Sequence, residues 1–305
     1  MRRADLQALA HHFLGKKLNW RIKARIFHLL SVLPFGFWAH YEIQRFITRE
    51  IPRNAETLDA LLSAAKRIAS ASGLTPAQLC TAHFLEIGSG RDLAVAIALR
   101  MLGVGKITCT DINSLAKLPM IRHAINHFAT RLMVPPPRIS NWRDLAGFGI
   151  NYLAPQDLRL ARIDARTIDC FYSVDTLEHI PTSDLVEVLE AAARMLTRDG
   201  MSVHLIDYSD HYARGQPISR VNFLKFSDAE WRPFNSSLQY VNRLRHSEYV
   251  KIFEDTGFSV LGVEVDHLSI DKDILRQLAP QFRKFDPLDL FALRAIIVLR
   301  LKGAA

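Results

Sequence analysis

The most informative segment of this chain is Phe84-Leu85-Glu86-Ile87-Gly88-Ser89-Gly90-Arg91-Asp92. It closes an apolar strand predicted over His83–Ile87 and continues through two glycines into a helix predicted over residues 91–102. Glycine adopts backbone angles that are costly for other residues and allows a ligand to approach the main chain closely. The unpaired amides at the start of the helix then face that ligand. The stretch therefore predicts a ligand site built from a strand, a tight turn and a helix.

An acidic residue closes the next predicted strand, Lys106–Thr110. Asp111 lies 21 residues after Gly90, where open parallel sheets use a carboxylate to accept hydrogen bonds from ribose hydroxyls. A nucleoside-containing cofactor is therefore expected. The dinucleotide fingerprint G-x-G-x-x-G requires glycine at position 93, which is Leu93 here. Glu86, just before the turn, suits a cationic sulfonium that bears an ammonium group better than an anionic pyrophosphate.

Strands and helices alternate along the rest of the chain. This alternation predicts a mostly parallel sheet with helices on both faces. The last two strands follow each other without a long helix, which favours an antiparallel final strand. We predict an α/β, Rossmann-like sheet of seven strands over residues 58–305, preceded by a basic helical N-terminal extension over residues 1–57. The remaining predicted strands are 151–153, 168–174, 201–206, 258–265 and 292–301, and further helices cover 185–196 and 247–256.

Several motifs occur in an order that is typical of one enzyme family. The segment Leu85-Glu86-Ile87-Gly88-Ser89-Gly90 resembles motif I of the class I S-adenosylmethionine-dependent methyltransferases, and Asp111 matches their ribose-binding acid. Ser173-Val174-Asp175-Thr176-Leu177-Glu178-His179-Ile180-Pro181 resembles the stretch after their fourth strand. Leu196-Thr197-Arg198-Asp199-Gly200 resembles the turn before their fifth. Asp92 departs from the pattern, because this position is usually the third glycine of motif I.

The resemblance covers about residues 80–302 and carries implications for activity and site. It implies a methyltransferase domain that uses S-adenosyl-L-methionine and acts on oxygen or nitrogen of a small molecule, a glycan or a lipid-linked glycan. Gln156 or Asp157, after the third strand, is the implied adenine contact, with Asp164 as a competitor. The implied cofactor-binding residues are Glu86, Gly88, Ser89, Gly90, Asp111, Ile112, Asp157 and Ser173.

Polar residues follow the fourth and fifth predicted strands, at the edge where the ligand of an open α/β sheet lies. We predict His211 or Asp207 as the general base, with His179 as the next candidate. A metal site is not predicted, because Asp207, Asp210 and His211 follow a strand without a defined ligand geometry. His204, inside the fifth strand, is interpreted as a hydrogen-bonded core histidine.

A more specific resemblance rests on two further motifs. The runs His204-Leu205-Ile206-Asp207-Tyr208-Ser209-Asp210-His211 and Asn242-Arg243-Leu244-Arg245 are similar to those of bacterial methyltransferases associated with surface-polysaccharide gene clusters. Those enzymes also share an N-terminal helical extension. The arginines of the second motif either clamp an anionic substrate or pair with surface carboxylates, and the sequence leaves both alternatives open.

The positive charge of the chain is concentrated at its N-terminus. Residues 1–25 contain seven basic residues and one acidic residue, and so hold +6 of the formal net charge of +8. We interpret the N-terminal segment as a lid that packs on the catalytic domain. The alternative is peripheral contact between residues 1–41 and an anionic membrane. Nucleic acid is not expected as a partner, and the sequence leaves the oligomeric state open.

Composition narrows the class of protein. The 305 residues are 49% hydrophobic and 23% charged, which excludes a disordered or fibrous chain. Cys80, Cys109 and Cys170 form no CxxC pair, so a structural zinc or disulfide framework is not expected and a cytoplasmic location is favoured. No apolar run reaches the ~20 residues that span a bilayer, and no secretory signal is expected.

Two other functional classes stay open. The first is a nicotinamide-dependent Rossmann oxidoreductase. The second is a non-catalytic Rossmann-like protein that binds a partner through its basic N-terminus, an alternative motivated by Asp92 in the glycine turn. Covalent thiol catalysis is not expected, because Cys170 lies inside a predicted strand.

Overall fold

The computed structural model describes residues 19–43, 45 and 51–303. The predicted N-terminal extension over residues 1–57 therefore lies partly outside the described residues, and so do five of its basic side chains: Arg2, Arg3, Lys16, Lys17 and Arg49.

Seven strands form one sheet in the order β3-β2-β1-β4-β5-β7-β6. All neighbouring strands are parallel except β7, which runs antiparallel to both β5 and β6. The predicted α/β, mostly parallel sheet of seven strands is confirmed, together with the antiparallel final strand. The strands are β1 (His83–Ile87), β2 (Lys106–Thr110), β3 (Ile150–Leu153), β4 (Ile168–Val174), β5 (Leu196–Asp207), β6 (Phe258–His267) and β7 (Ala292–Leu301).

Helices cover both faces of the sheet, as predicted. In β1, Phe84 packs in one hydrophobic core and Leu85 in another, because successive residues of a strand point to opposite faces. The helices are α1 (Trp20–Ser31), α2 (Gly36–Glu42), α3 (Ala55–Ala71), α4 (Pro76–Leu79), α5 (Ala94–Met101), α6 (Leu118–Leu132), α7 (Trp142–Gly147), α8 (Thr182–Met195), α9 (Asp228–Trp231), α10 (His246–Asp255), α11 (Lys272–Arg276) and α12 (Pro287–Leu290). The first core is completed by α3, α5 and α6, and the second by α8 and α10.

Predicted and observed boundaries differ by a few residues at several elements, and two of the differences have a physical reason in the structure. The helix predicted from residue 91 begins at Ala94, because Leu93 takes a left-handed φ of 50° that interrupts helical geometry. The stretch 196–200, predicted as a turn, already belongs to β5. Leu196 pairs with Ile168, and an irregularity of the ladder just after this pair takes up the extra residues.

Helix α3 joins the N-terminal extension to the sheet. The side chain of Asn54 caps it by accepting a hydrogen bond from the Thr57 amide at 2.8 Å. Leu58, Leu62 and Ile68 form its buried face, as their helical spacing predicts. The domain division predicted between residues 57 and 58 falls inside this helix and, as a division, stays a prediction.

The rings of Tyr212, Trp231 and Phe234 form an aromatic cap beyond the carboxyl ends of β4 and β5. Trp20 of α1 is 5% exposed and packs against the rings of Tyr212, Trp231 and Phe234, with centroid distances of 5.0–6.1 Å. Helix α1 thus docks one apolar face on the segments that follow β5. Among the described residues, no helix is both long and apolar enough to cross a membrane.

Candidate functional site

A crevice of about 450 Å³ opens at the carboxyl ends of β1, β2 and β4. The order in which successive strands are added to the sheet reverses between β1 and β4. Strands β2 and β3 lie on one side of β1, and β4 lies on the other. Ligands of open α/β sheets bind at this switch point, and the volume suits a small-molecule site of about 300–1,000 Å³. The walls include Gly88, Gly90, Asp111, Gln156, Thr176 and His179.

The glycine turn forms the floor of the crevice. Gly88 and Gly90 have φ values of 73° and 68°, which favour glycine over other residues. A Cβ atom added to Gly88 would lie 2.2 Å from Cγ2 of Thr176, whereas one on Gly90 would meet nothing within 4 Å. Gly88 therefore permits close packing against the turn after β4, and Gly90 keeps the floor open to a ligand.

Asp111 lines the crevice at the end of β2. Its Oδ2 accepts a hydrogen bond from the Gly90 amide at 3.2 Å, and its Oδ1 accepts one from the Asn113 amide at 3.0 Å. Burial raises the pKa of Asp111, and these two hydrogen bonds oppose the rise. The carboxylate is thus held between two loops, with acceptor capacity left for a ligand in the crevice.

The predicted adenine-side residues are brought together. Ile112, which is 70% exposed, lines the crevice along with Gln156 and Asp157. The Asp157 carboxylate already pairs with Arg159 at 2.6 Å, and the hydrogen bond from Arg159 lowers the pKa of Asp157. Asp164, the competing candidate, is exposed and lies outside the crevice lining.

Three predicted cofactor residues do not line the crevice: Glu86, Ser89 and Ser173. Glu86 is 3% exposed and accepts a hydrogen bond from the Cys109 thiol at 3.5 Å. Burial raises its pKa to about 8. Ser173 lies beside His204, which also contacts Ser202; the interpretation of His204 as a hydrogen-bonded core histidine is confirmed. A cofactor role for the three residues stays a prediction.

Asp207, the last residue of β5, meets His211 next to the crevice. Oδ2 of Asp207 lies 3.5 Å from Nε2 of His211 and 2.9 Å from Nη2 of Arg214. Burial raises the pKa of Asp207, but hydrogen bonds from His211 and Ser209 outweigh it and leave the pKa below its usual range. Asp207 is therefore an ionised carboxylate beside the imidazole.

The turn after β4 approaches the same point. His179 lines the crevice, and its ring centroid lies 5.0 Å from that of His211. Nη2 of Arg294, on β7, lies 3.2 Å from Oδ2 of Asp175 and 3.7 Å from Oδ2 of Asp207. The structure thus brings together all three side chains predicted from the sequence as catalytic candidates.

An antiparallel β7 lies between β5 and β6, and the order of the strands reverses between β1 and β4. The chain has a Rossmann-like fold. No protein-family model matches the sequence, and no curated protein matches it.

Solved structures with a similar arrangement share little sequence with this chain. A geranyl diphosphate C-methyltransferase from Streptomyces coelicolor is 11% identical, with 83% of this chain and 86% of that chain covered and a TM-score of 0.45. Magnesium protoporphyrin IX methyltransferase from Synechocystis is 14% identical, with 81% and 83% covered and a TM-score of 0.43. The cyclase SpnF is 12% identical, with 79% and 81% covered and a TM-score of 0.46. Similarity at this level carries no argument about activity.

The structure shows the contacts of both arginines in the motif Asn242-Arg243-Leu244-Arg245. Arg243 is buried and pairs with the exposed carboxylate of Asp228, which matches the surface-carboxylate alternative. Arg245 is fully buried and donates to the Tyr208 carbonyl at 3.1 Å. Neither side chain lines the crevice.

Sequence reasoning missed the role of Asn242 in that motif. Its Nδ2 donates to the carbonyls of Leu177 and Ile180, both at 3.0 Å. These bonds fix both ends of the turn that presents Glu178 and His179. The contact joins residues more than 60 positions apart, and no local pattern in the sequence signals it.

Proposed function

We propose that this chain is an S-adenosyl-L-methionine-dependent methyltransferase that acts on oxygen or nitrogen of a small molecule or a glycan. The observation that carries the proposal is the meeting of the glycine turn and Asp111 in one crevice at the switch between β1 and β4. The crevice joins a carboxylate suited to ribose hydroxyls with an open backbone floor. One wall of the crevice is His179, which lies beside His211 and Asp207 at the ends of β4 and β5.

The residues present fit this cofactor. Gly90 leaves room at the floor because nothing lies within 4 Å of its missing Cβ. Asp111 would accept hydrogen bonds from the ribose, and Ile112 and Asp157 would border the adenine. When bound, S-adenosyl-L-methionine supplies an activated methyl group, whose bond to sulfur breaks as a bond to the acceptor forms and S-adenosylhomocysteine is left. A cofactor-binding role for Glu86, Ser89 and Ser173, which do not line the crevice, stays part of this proposal.

The proton of the acceptor passes to this chain's own side chains. In the proposed step, an acceptor hydroxyl or amine gives its proton to His211 as its oxygen or nitrogen bonds to the methyl carbon. Asp207, at 3.5 Å, stabilises the imidazolium that forms. His179, in the crevice wall, would orient the acceptor. A positioned base of this kind contributes typically ~10²–10⁴-fold to the rate.

A nicotinamide-dependent oxidoreductase is not favoured by the geometry of α5. Asp92 accepts a weak hydrogen bond from the Ala94 amide at 3.4 Å and pairs with Arg53 at 3.1 Å. A carboxylate therefore stands at the helix N-terminus that a dinucleotide pyrophosphate would need. The Leu93 side chain is fully buried at the position that the dinucleotide fingerprint G-x-G-x-x-G reserves for its third glycine.

We also propose peripheral contact between the N-terminal segment and an anionic membrane. Leu29, Val32, Phe35 and Trp38 are 57–68% exposed, on the two helices that precede α3 and the turn between them. Arg25, on α1, is exposed too. Apolar side chains beside cationic ones are the combination that interfacial segments use. Such contact would bring the enzyme to a lipid-linked acceptor.

A thermal-shift panel on the full-length chain tests the cofactor class. We expect S-adenosylhomocysteine at about 100 times its Kd to stabilise the protein by about 2.7 kcal/mol and to raise the Tm by several degrees, with no shift from NAD or NADP. A shift with NAD or NADP alone would replace the proposal with the oxidoreductase class. The absence of a shift with all three ligands would favour the non-catalytic binding protein.

A further inference from the structure

Three potential metal ligands converge beside the crevice. Glu178 and His179 close the short turn Leu177–His179 after β4, and His211 opens the turn His211–Ala213 after β5. One ligand atom from each side chain lies within 4.8 Å of the other two. We call these three residues the Glu-His-His cluster.

Glu178 is the feature of this cluster that protein contacts do not explain. Its side chain is 3% exposed, and neither carboxylate oxygen has a hydrogen-bond partner among the described residues. Burying a carboxylate without a partner is costly. The nearby guanidinium groups are engaged elsewhere, Arg214 with Asp207 and Arg294 with Asp175. The environment of Glu178 therefore indicates a missing cationic partner.

Each imidazole has a ring nitrogen that protein contacts leave open. Nδ1 of His179 lies 2.5 Å from the Tyr240 carbonyl oxygen. A carbonyl only accepts hydrogen bonds, so Nδ1 carries the proton and Nε2 keeps its lone pair. A carbonyl behind an imidazole in this way fixes its tautomer and its orientation toward a metal ion. Nε2 of His211 is buried without a hydrogen-bond partner among the described residues, 3.5 Å from Oδ2 of Asp207.

We propose that the Glu-His-His cluster binds one divalent transition-metal ion, for which Zn²⁺ is the best match. Two imidazole nitrogens and one carboxylate oxygen form the donor set of open zinc sites that keep a fourth position free. A tetrahedral site with bonds of about 2.0 Å separates its ligand atoms by about 3.3 Å. The ion would thus draw the three side chains closer than their present limit of 4.8 Å.

The free position of this ion points to the class of acceptor. His179 is exposed and lines the crevice, so the ion would be reached from the crevice. A hydroxyl oxygen in the free position would be polarised and its pKa lowered, so that its proton would pass to solvent before the oxygen bonds to the methyl carbon. His179 and His211 would then act as ligands, and His211 would not act as the base. This last step specifies an oxygen acceptor and rests on the proposed methyltransferase function. The metal site itself does not rest on that function.

Calorimetric titration of zinc chloride into the full-length chain, stripped of metal with a chelator, tests the site. We expect one saturable site, with zinc affinity at least tenfold weaker in Glu178→Gln and in His211→Ala. His28→Ala, which removes an exposed histidine of α1, is the matched control and should bind zinc like the wild type. Unchanged melting curves of the metal-free variants would show that each still folds, and Glu178→Gln keeps the shape of the side chain.

Two results would overturn the metal site: no saturable binding, or equal zinc affinity in the wild type and both cluster variants. Titration of S-adenosylhomocysteine into the same metal-free protein separates this test from that of the proposed function. Loss of zinc binding with retained nucleoside binding would reject the metal site alone. Zinc binding without nucleoside binding would reject the methyltransferase proposal and leave the metal site standing.

Discussion

Glu86 is a carboxyl group enclosed by the protein just below the glycine turn. It is 3% exposed, and burial raises its pKa from 4.5 to about 8. The Cys109 thiol, the Tyr172 hydroxyl and Arg53 oppose this rise, and Asp92 adds to it. The folded chain therefore keeps a proton on Glu86 at a pH where the unfolded chain has lost it. A buried acid of this kind makes the stability of the protein depend on pH.

We predict that replacing Glu86 by glutamine removes part of this pH dependence. Because the folded state binds the extra proton between about pH 4.5 and 8, Glu86 lowers the free energy of unfolding as pH rises through this window. The loss is on the order of 5 kcal/mol when complete. Urea unfolding of the wild type and Glu86→Gln at pH 5 and pH 8 measures it. The variant should gain stability relative to the wild type at pH 8 only.

The control for this prediction is Glu56→Gln, which changes an exposed glutamate of α3. It should leave the wild-type pH profile unaltered. If Glu86→Gln followed the same profile as the wild type, Glu86 would titrate near its ordinary pKa and the description of its environment would be wrong.

At the level of single residues, the sequence predicts those side chains whose position follows from a strand end. Asp111, His179 and Asp207 lie where the carboxyl ends of their strands place them. Ser173 does not reach the crevice, because it packs beside His204 in the sheet interior. The unpartnered carboxylate of Glu178 was not predictable, since burial and missing partners are properties of the folded chain alone.

Among the elements, the N-terminal helices combine an anchored side with an open one. Trp20 and Phe27 of α1 are buried against the aromatic cap, whereas Phe35 and Trp38 are 57% and 64% exposed. The docked side matches the lid interpretation of the extension. The open side is the surface that we propose for membrane contact, so the two roles are compatible within one segment.

We predict that the full-length chain co-sediments with vesicles of phosphatidylserine and phosphatidylcholine more than with phosphatidylcholine alone. The double variant Phe35→Glu with Trp38→Glu should lose most of this binding, because it places two negative charges on the proposed contact surface. The control is Met133→Glu, which charges another apolar side chain that is 91% exposed. Equal sedimentation of the wild type and the double variant would contradict membrane contact.

Element boundaries show where local sequence patterns stop being informative. Alternating apolar runs predicted β1, β2 and β4 with the bounds that the structure has. The early start of β5 depends on pairing between Leu196 and Ile168, which no local pattern records. The short turns and helices after β5 are held by contacts between distant aromatic rings, and therefore only an irregular stretch could be predicted there.

For the molecule as a whole, the sheet order places two chemical environments side by side. The reversal of strand order between β1 and β4 opens the crevice that holds the glycine turn and Asp111. Strands β5 and β7 bring Asp207 and Arg294 to the rim of this crevice. The aromatic cap and α1 lie beyond this rim. The arrangement separates a proposed nucleoside-binding half from a proposed acceptor half.

Isothermal titration of S-adenosylhomocysteine into the wild type, Asp111→Asn and Asp164→Asn measures whether the crevice binds the adenosyl cofactor through Asp111. The Asp111→Asn substitution keeps the shape of the side chain but removes the charge that strengthens hydrogen bonds from ribose hydroxyls, an effect of about 1.5–3 kcal/mol. We expect Asp111→Asn to bind roughly 10- to 100-fold more weakly, and Asp164→Asn, changed outside the crevice, to bind like the wild type. Equal affinity of all three proteins would contradict the claim that this crevice holds an adenosyl cofactor.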